Sequence, residues 1–574
     1  MGSHQIKMHQ GGVQGRPRDR HPCGWQWLRS PLLMALAVLA AGSALSQPAA
    51  AGQPAQQLPY EGAIKSDVAA LAIPDSERKL LLDIYGKRNY TAIWVDGTSP
   101  TATAHALVKL LGQAGDEGLD SEAYDVSRLQ DWLAGRKPTT LTIFDVTLSA
   151  AVLHYGRDRL GARAAALSTV LKGLLPVPEP DSARVFASIV ASSDPVGALD
   201  GLGPHDAGYL GLKATLAIYR NIAQAGGWPR VPIWSAEAPK LQPGQSDPRI
   251  PAYRARLAVT DGAPEVAPDQ AELFDPGLAA AMTRFQLRHG LIADGVPGRN
   301  TVRALNVSVE DRIGQLIAGL ERARIRVVPA DPYILVNIPE YRLRMVVAGQ
   351  TVFDTPVVTG RPSRPTPLIA SHISSVVFNP TWTVPLKLAG EDIVPKVLKD
   401  PEYLGKEGIR IFSSFSHDDE EIDPDSIDWQ HINRKHFPYR LRQDPGPLNS
   451  LGQVKLNFPN THDVYMHDTP DRHLLARDER AFSSGCIRVL NPVDLAEKVL
   501  ATLSGWDRAR IDAAVAAGTM VTLSVPRKIN VRLVYETVWV ASDGVVNFRQ
   551  DIYGHDAELA RTIGGPLKIA QNTP

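Results

Sequence analysis

The chain has 574 residues, 44% hydrophobic and 21% charged, a globular balance that excludes a wholly disordered or collagen-like protein. Lysine plus arginine equals aspartate plus glutamate at 61 each, so the basic excess needed to coat a nucleic-acid duplex is missing. Two cysteines, Cys23 and Cys486, exclude a disulfide scaffold, and the length accommodates about four domains.

The first 30 residues are rich in arginine (Arg16, Arg18, Arg20, Arg29), and a short apolar run, LLMALAVLAAGSAL, follows from Leu32 to Leu45. Small residues then continue to Ala51. This pattern predicts an export signal over 1–46, with cleavage before Gln47 or after Ala49-Ala50-Ala51. The apolar run is short for a membrane span, which needs about 20 residues, so an uncleaved inner-membrane anchor is the competing reading. If the signal is removed, Cys23 goes with it and Cys486 is the one thiol left. A lone thiol in an oxidising compartment is either an inert buried hydrophobe or a nucleophile.

Residues 60–225 carry apolar positions at helical spacing in Leu71–Tyr85, Ala104–Leu111, Val146–Leu160 and Leu210–Ile222, with Gly226-Gly227 ending the last helix. No chemistry stands out here, and a scaffold over 47–245 is expected. Six prolines in 228–251 mark a long loop. In 268–307, Leu278, Ala281, Met282 and Phe285 share a helical face. Gly290 ends that helix, Asp294-Gly295 and Pro297-Gly298 turn the chain, and Thr301–Leu305 begins a second helix. The string FDPGLAAAMTRFQLRHGLIADGVPGRNTVRALN resembles the three-helix peptidoglycan-binding module, which the expected boundaries place at 246–310. An ordinary helical hairpin is the alternative. Residues 311–330 are expected to be a linker.

From Tyr333 the apolar period changes to two. Leu343, Met345 and Val347 alternate with Arg342, Arg344 and Val346; Ala348-Gly349-Gln350 turns the chain, and Val352–Val358 returns it. Further strands are expected at Ser371–Phe378, Val464–His467, Met520–Val525, Val531–Val540 and Val545–Phe548. A polar insert over 386–446, with the acidic run Asp418, Asp419, Glu420 and Glu421, reads as a cap. The predicted fold is α+β and multidomain: a helical scaffold, the small three-helix module, a mainly-β domain over 331–545 with its inserted subdomain, and a tail over 546–574.

The chemistry concentrates in 464–492, VYMHDTPDRHLLARDERAFSSGCIRVLNP. Alternation makes a strand ending at His467, and Gly485-Cys486 opens a second strand in which Ile487 and Val489 share a face. Asn491, Pro492 and Asp494 then suit the start of a helix. Neighbouring short strands would bring a thiol and an imidazole together, and a histidine beside a cysteine lowers the thiol pKa. Arg488 adds positive charge. Backbone N–H groups around Ser484, Gly485 and Cys486 could hold an oxyanion, which completes the parts for acyl transfer through a thioester.

The pattern H-x-T followed by S-x-G-C-x-R resembles the YkuD-type L,D-transpeptidases, and HDTP…RAFSSGCIRV is similar to their large periplasmic subgroup, the YcbB type. The strings IYGKRNYTAIW, GGWP, FNPTWTVP, RQDPGPLNSLGQVKLNFPN and VWVASDGVVNFRQDIYG extend the likeness over most of the chain. The resemblance implies Cys486 as nucleophile and His467 as general base, oriented by the backbone carbonyl of Asp468. It implies Gly485 and Cys486 as oxyanion donors, and Arg488 as a group positioning the nucleophile or a substrate carboxylate. Ser483, Ser484, Thr469, Tyr465, Asn457 and Trp382 are the expected substrate contacts. Where some relatives carry His before the glycine, this chain has Ser484, and the residue after the first His is Asp468.

The implied activity is 3→3 cross-linking of peptidoglycan stem peptides in a Gram-negative periplasm, with release of D-Ala and susceptibility to carbapenems. L,D-carboxypeptidase action, lipoprotein attachment and a non-catalytic wall-binding role are the alternatives. D,D-carboxypeptidases and glycan synthases of the wall are the implied partners; no nucleic acid, cofactor or metal is expected. His462, His467 and His473 cluster near Asp463 and Asp468, but their spacing matches no standard zinc pattern, and His462 and His473 are expected at the surface. A papain-like protease would need its Cys before its His, the reverse of the order here.

Overall fold

The computed structural model describes residues 60–136, 140–163, 180–237, 240–414, 420–501 and 503–562. The expected signal over 1–46, Asp418, Asp419 and residues 563–574 of the expected tail lie outside the described residues. No described helix is long and apolar enough to cross a membrane.

The N-terminal region is helical, as its periodicity predicts. Helices Glu61–Ala70, Asp75–Lys87, Ala102–Gly112, Val126–Leu133 and Ser182–Ala191 surround Leu141–Arg159, which is buried on nearly every side. Within that helix, Asp145 is fully buried and accepts from the Tyr85 hydroxyl (2.5 Å) and the Trp94 amide (2.5 Å). A buried carboxylate is tolerated only with such partners. Helix Ala207–Gln224 closes the region, and Gly226 and Gly227 both take the left-handed backbone that ends it.

The chain then runs as a loop to helix Ile250–Asp261, which packs with Pro276–Arg288 and Arg299–Leu305 around Ile250, Leu257, Leu278, Met282, Phe285 and Leu305. Arg288 donates to both oxygens of Asp261 (2.6 and 2.8 Å), joining two of these helices in a buried ion pair. The stretch expected to be a linker, 311–330, is instead mostly helix. Val309–Arg324 buries Leu316 and Leu320 against Tyr209, Leu212 and Leu216. Buried Glu321 and Arg324 pair at 2.9 Å on the same helix. These charges obscure an amphipathic pattern in the sequence.

The β region is an eleven-stranded sheet. Its strands are β1 (Tyr333–Asn337), β2 (Arg342–Val347), β3 (Gln350–Gly360), β4 (Ile369–His372), β5 (Ser375–Phe378), β6 (Val454–Asn457), β7 (Met466–His467), β8 (Ala481–Ser483), β9 (Ile487–Val489), β10 (Val521–Ser524) and β11 (Asn530–Val534). The order is β10-β5-β6-β7-β9-β3-β2-β1-β11-β4, with β8 beside β3. The pairs β7–β9, β3–β8 and β1–β11 are parallel, and the others are antiparallel. Val336, Leu343, Val376, Leu456, Met466, Ile487, Val531 and helix Pro492–Leu500 make one core.

Two further expectations need correction, the single strand Val531–Val540 and the side-chain cap of Asn491. The run Val531–Val540 is two strands, because the chain leaves the sheet at Tyr535. There the Glu536 amide donates to Asn337, and Gln315 donates to the Thr537 carbonyl. Val538–Val540 pairs with Val546–Phe548 as a separate hairpin packed on the helix Val309–Arg324. The polar insert has a core of its own. A four-stranded sheet of Trp382–Thr383, Ile409–Phe412, Glu421–Ile422 and Arg440–Gln443 packs Val384, Ile393, Val394, Ile411 and Leu441. Its apolar residues are spread over many short elements, so no single window looks hydrophobic. Asn491 does stand at the cap of Pro492–Leu500, but in left-handed conformation and without a side-chain cap bond.

Asp261→Ala would leave the Arg288 guanidinium buried without its anion, a loss of about 3–5 kcal/mol. Urea unfolding of the variant should show that loss; a change below about 1 kcal/mol would mean that the pair contributes little.

Candidate active site

The strands β7 and β9 build the site. Met466 pairs with Ile487 and His467 with Arg488, and the Ile487 amide donates to the Tyr465 carbonyl (3.0 Å). Met466 and Ile487 face the core. Side chains alternate along a strand, so His467 and Arg488, with Tyr465 and Cys486 one step before each strand, occupy the opposite face. Cys486 thereby lies beside Tyr465 and diagonal to His467, on strands about 4.8 Å apart. On the far side of β7, Lys455 of β6 is the direct partner of His467.

His467 is buried, and its Nδ1–H donates to the Asp468 carbonyl at 2.5 Å. A carbonyl only accepts, so this bond places the proton on Nδ1 and leaves Nε2 with a lone pair. Burial, with Arg488 and Lys455 nearby, pushes the imidazole pKa down to about 3 despite the Asp468 bond. The ring is therefore neutral at neutral pH.

Asp468 is itself fixed. Its amide donates to the Val454 carbonyl (2.9 Å), and its carboxylate accepts from the Gln453 amide (3.0 Å) and Arg472 (3.2 Å). Gly452 makes room for that carboxylate. It takes φ +57°, and a Cβ there would lie 2.4 Å from Asp468 Oδ2. Gly452 was not among the expected site residues, although it lies in the SLGQVK string.

Cys486 is half-buried, and its Sγ reaches the Asp463 carbonyl at 3.8 Å. Among the described residues no hydrogen bond joins Sγ to the imidazole. Burial pushes the thiol pKa up, against the opposing pull of Tyr465, Lys455 and Arg488. The depressed thiol expected from a cysteine beside a histidine is thus not what this environment produces, because desolvation outweighs the neighbouring cations.

The nucleophile turn is tightly bonded. Gly485 takes φ +119°. Its N–H, expected as an oxyanion donor, donates instead to Ser483 Oγ (3.2 Å), and that hydroxyl donates to the Cys486 carbonyl (2.6 Å). The Gly485 carbonyl accepts from Thr366 Oγ1 (2.8 Å). Ser484 is exposed, and its Oγ accepts from Arg364 (3.1 Å), which also donates to Asp392 (2.6 Å) and Glu391 (2.5 Å) of the insert. Neither Thr366 nor Arg364 stood out in the sequence, since both come from the loop after β3, more than a hundred residues before the turn they hold.

Arg488 Nη1 donates to Asp471 at 2.8 Å and lies 3.5 Å from Thr469 Oγ1. Thr469 and Ser483 are buried and hold loops. Asn457 donates to Ser375 Oγ (3.0 Å) at the sheet edge of the site. Trp382, on the first strand of the insert, bonds to the Tyr465 side chain, which in turn contacts Cys486. Lys455 Nζ stands 4.1 Å from the centre of the Tyr465 ring. His462 and His473 are exposed.

Comparison with known proteins places these residues in a family. Residues 331–522 match the L,D-transpeptidase catalytic domain of the YkuD family, 79–216 match the family described as "Scaffold domain", and 258–305 match "Putative peptidoglycan binding domain". A Haemophilus influenzae protein named "Putative L,D-transpeptidase" is 37% identical over 266 residues, covering 46% of this chain and 53% of its own. The chain thus spans about half the length of that curated relative. Two solved L,D-transpeptidase structures align over about half of this chain. The one from Stackebrandtia nassauensis has 14% identity, 53% coverage here, 97% of its own chain and TM-score 0.20. The one from Xylanimonas cellulosilytica has 15% identity, 52% coverage here, 100% of its own chain and TM-score 0.17. At those scores neither carries structural weight. The chain carries a YkuD-family L,D-transpeptidase catalytic domain together with a peptidoglycan-binding domain.

Proposed function

We propose that the protein is a periplasmic L,D-transpeptidase of the large YcbB-type subgroup that forms 3→3 peptidoglycan cross-links through a thioester on Cys486. The observation that carries this reading is the parallel pairing of β7 with β9, which sets the thiol and the imidazole on one sheet face inside the segment matching the catalytic family.

In the first step the Sγ proton leaves the Asp463 carbonyl for Nε2 of His467 as sulfur attacks the carbonyl carbon of the third stem residue. The S–C bond forms, and the carbonyl oxygen takes the electron pair. With the Gly485 N–H engaged by Ser483, the oxyanion falls to the Cys486 N–H. Collapse breaks the C–N bond, and the Nε2 proton passes to the departing D-Ala amine. In the second step the side-chain amine of another stem attacks the thioester carbonyl and gives its proton to His467. The C–S bond breaks, and the thiol is restored. Water in place of the amine would make the protein an L,D-carboxypeptidase. The insert, held to the nucleophile turn through Arg364, acts as the cap that governs acceptor and water entry. Export through the N-terminal signal brings the enzyme to the wall, where D,D-carboxypeptidases would supply the tetrapeptide donors and glycan synthases the strands.

The first test is product analysis by mass with a defined tetrapeptide donor and acceptor. The wild type should release D-Ala and yield a 3→3 dimer, whereas Cys486→Ala should lose activity by at least about a thousandfold. A carbapenem should add its mass to the wild type and not to Cys486→Ala; equal labelling of both would remove Cys486 from the nucleophile role.

The second test follows from the raised thiol and the lowered imidazole. In the free enzyme both groups are neutral at neutral pH, so thiolate absorbance should emerge only above the ordinary thiol value of about 8.5. A thiolate signal already present in mildly acidic solution and abolished by His467→Ala would instead establish a resting thiolate–imidazolium pair.

A further inference from the structure

We propose that Lys455 is the substrate-carboxylate receptor of this site, a specificity residue that holds an anionic group of the donor peptide beside the scissile bond. The inference rests on the transpeptidase reading above and adds to it the group that selects the donor. Lys455 is half-buried in the middle of β6, on the face that carries His467 and opposite it in register. Its stem crosses toward Tyr465, and its ammonium rests over that ring at 4.1 Å, next to the residue that contacts Cys486. Among the described residues no carboxylate pairs with it. Two other cations of this region have carboxylate partners: Arg488 pairs with Asp471, and Arg364 with Asp392 and Glu391.

A half-buried ammonium without an anion is costly, and an aromatic face offsets only part of that cost. Around it stand His467 and Val377 as its strand partners, with Tyr465, Asn457 and Ser375 beside them, and the charge of Asp463 reaches the Tyr465 ring. An arriving carboxylate would form a charge-assisted bond with the ammonium. A tetrapeptide donor offers two carboxylates near the carbonyl that Cys486 attacks. One ends the leaving residue, three covalent bonds from that carbonyl, and the other ends the side chain of the third residue when it is a diamino diacid. Both present the same chemistry to Lys455.

Binding is measured by calorimetry in a Cys486→Ala background, where no turnover occurs, with three donors: the free acid, its terminal carboxamide and its third-residue side-chain amide. With Lys455 intact, one of the amides should bind about 10- to 100-fold more weakly than the acid. Lys455→Met should abolish that preference by weakening the acid alone, and Lys455→Arg should restore most of it. The sensitive amide identifies which carboxylate is held. Equal weakening of all three donors by Lys455→Met, or no preference with Lys455 intact, overturns the inference. A full preference with no thioester formed by the wild type would leave the receptor standing and remove the transpeptidase reading.

Discussion

The site depends on a very short piece of parallel sheet. Two residue pairs, Met466 with Ile487 and His467 with Arg488, fix where the thiol and the imidazole stand. Parallel neighbours cannot be joined by a tight turn, so the chain between them must travel. It does so through 468–486, and that excursion supplies the Asp468 carbonyl, the Asp471 carboxylate and the Ser483-Gly485 turn. A one-residue slip of β9 would send Cys486 into the core and Ile487 into the site. Register is held by Met466, Ile487 and Val489, which are almost wholly buried on the other face. The hydrophobic core thus positions the chemistry without touching it.

Much of this was legible in the sequence, and what was hidden has identifiable physical reasons. The H-x-T and S-x-G-C-x-R strings point to Cys486 and His467, and alternation in 464–467 and 486–489 places them on strand ends. The parallel pairing is less legible, since two- and three-residue strands leave no periodicity to measure. The helix 309–324 was hidden by charges that are buried and paired, so an apolar count undervalues it. Lys455 was hidden for the opposite reason. In V-K-L-N a lysine alternating with apolar residues reads as the solvated side of a strand, and only the neighbouring strands make that side the site. Thr366 and Arg364 act on a turn far along the chain, beyond the reach of any local pattern.

The inserted subdomain is tied to the turn that carries Cys486 by two routes. Arg364 joins Asp392 and Glu391 to Ser484, one residue before Gly485. Trp382 meets Tyr465, which contacts Cys486. The insert has its own hydrophobic core. Gly390 keeps it close-packed, because a Cβ there would lie 1.9 Å from the Arg434 carbonyl.

Charge completes the design. The imidazole is neutral because it is buried and because Arg488 and Lys455 oppose a third positive charge. The thiol is protonated because the same burial opposes a thiolate. A resting pair of this kind is chemically quiet, since the thiolate is the form that oxidises. Proton transfer from sulfur to Nε2 becomes easier when the charge opposing the imidazolium is offset. An anion on Lys455 would do that, and Asp471 already does it in part for Arg488. On this reasoning recognition and activation are one electrostatic event: the donor that supplies the carboxylate also raises the basicity of His467, so the thiol is committed only when a correct peptide is in place.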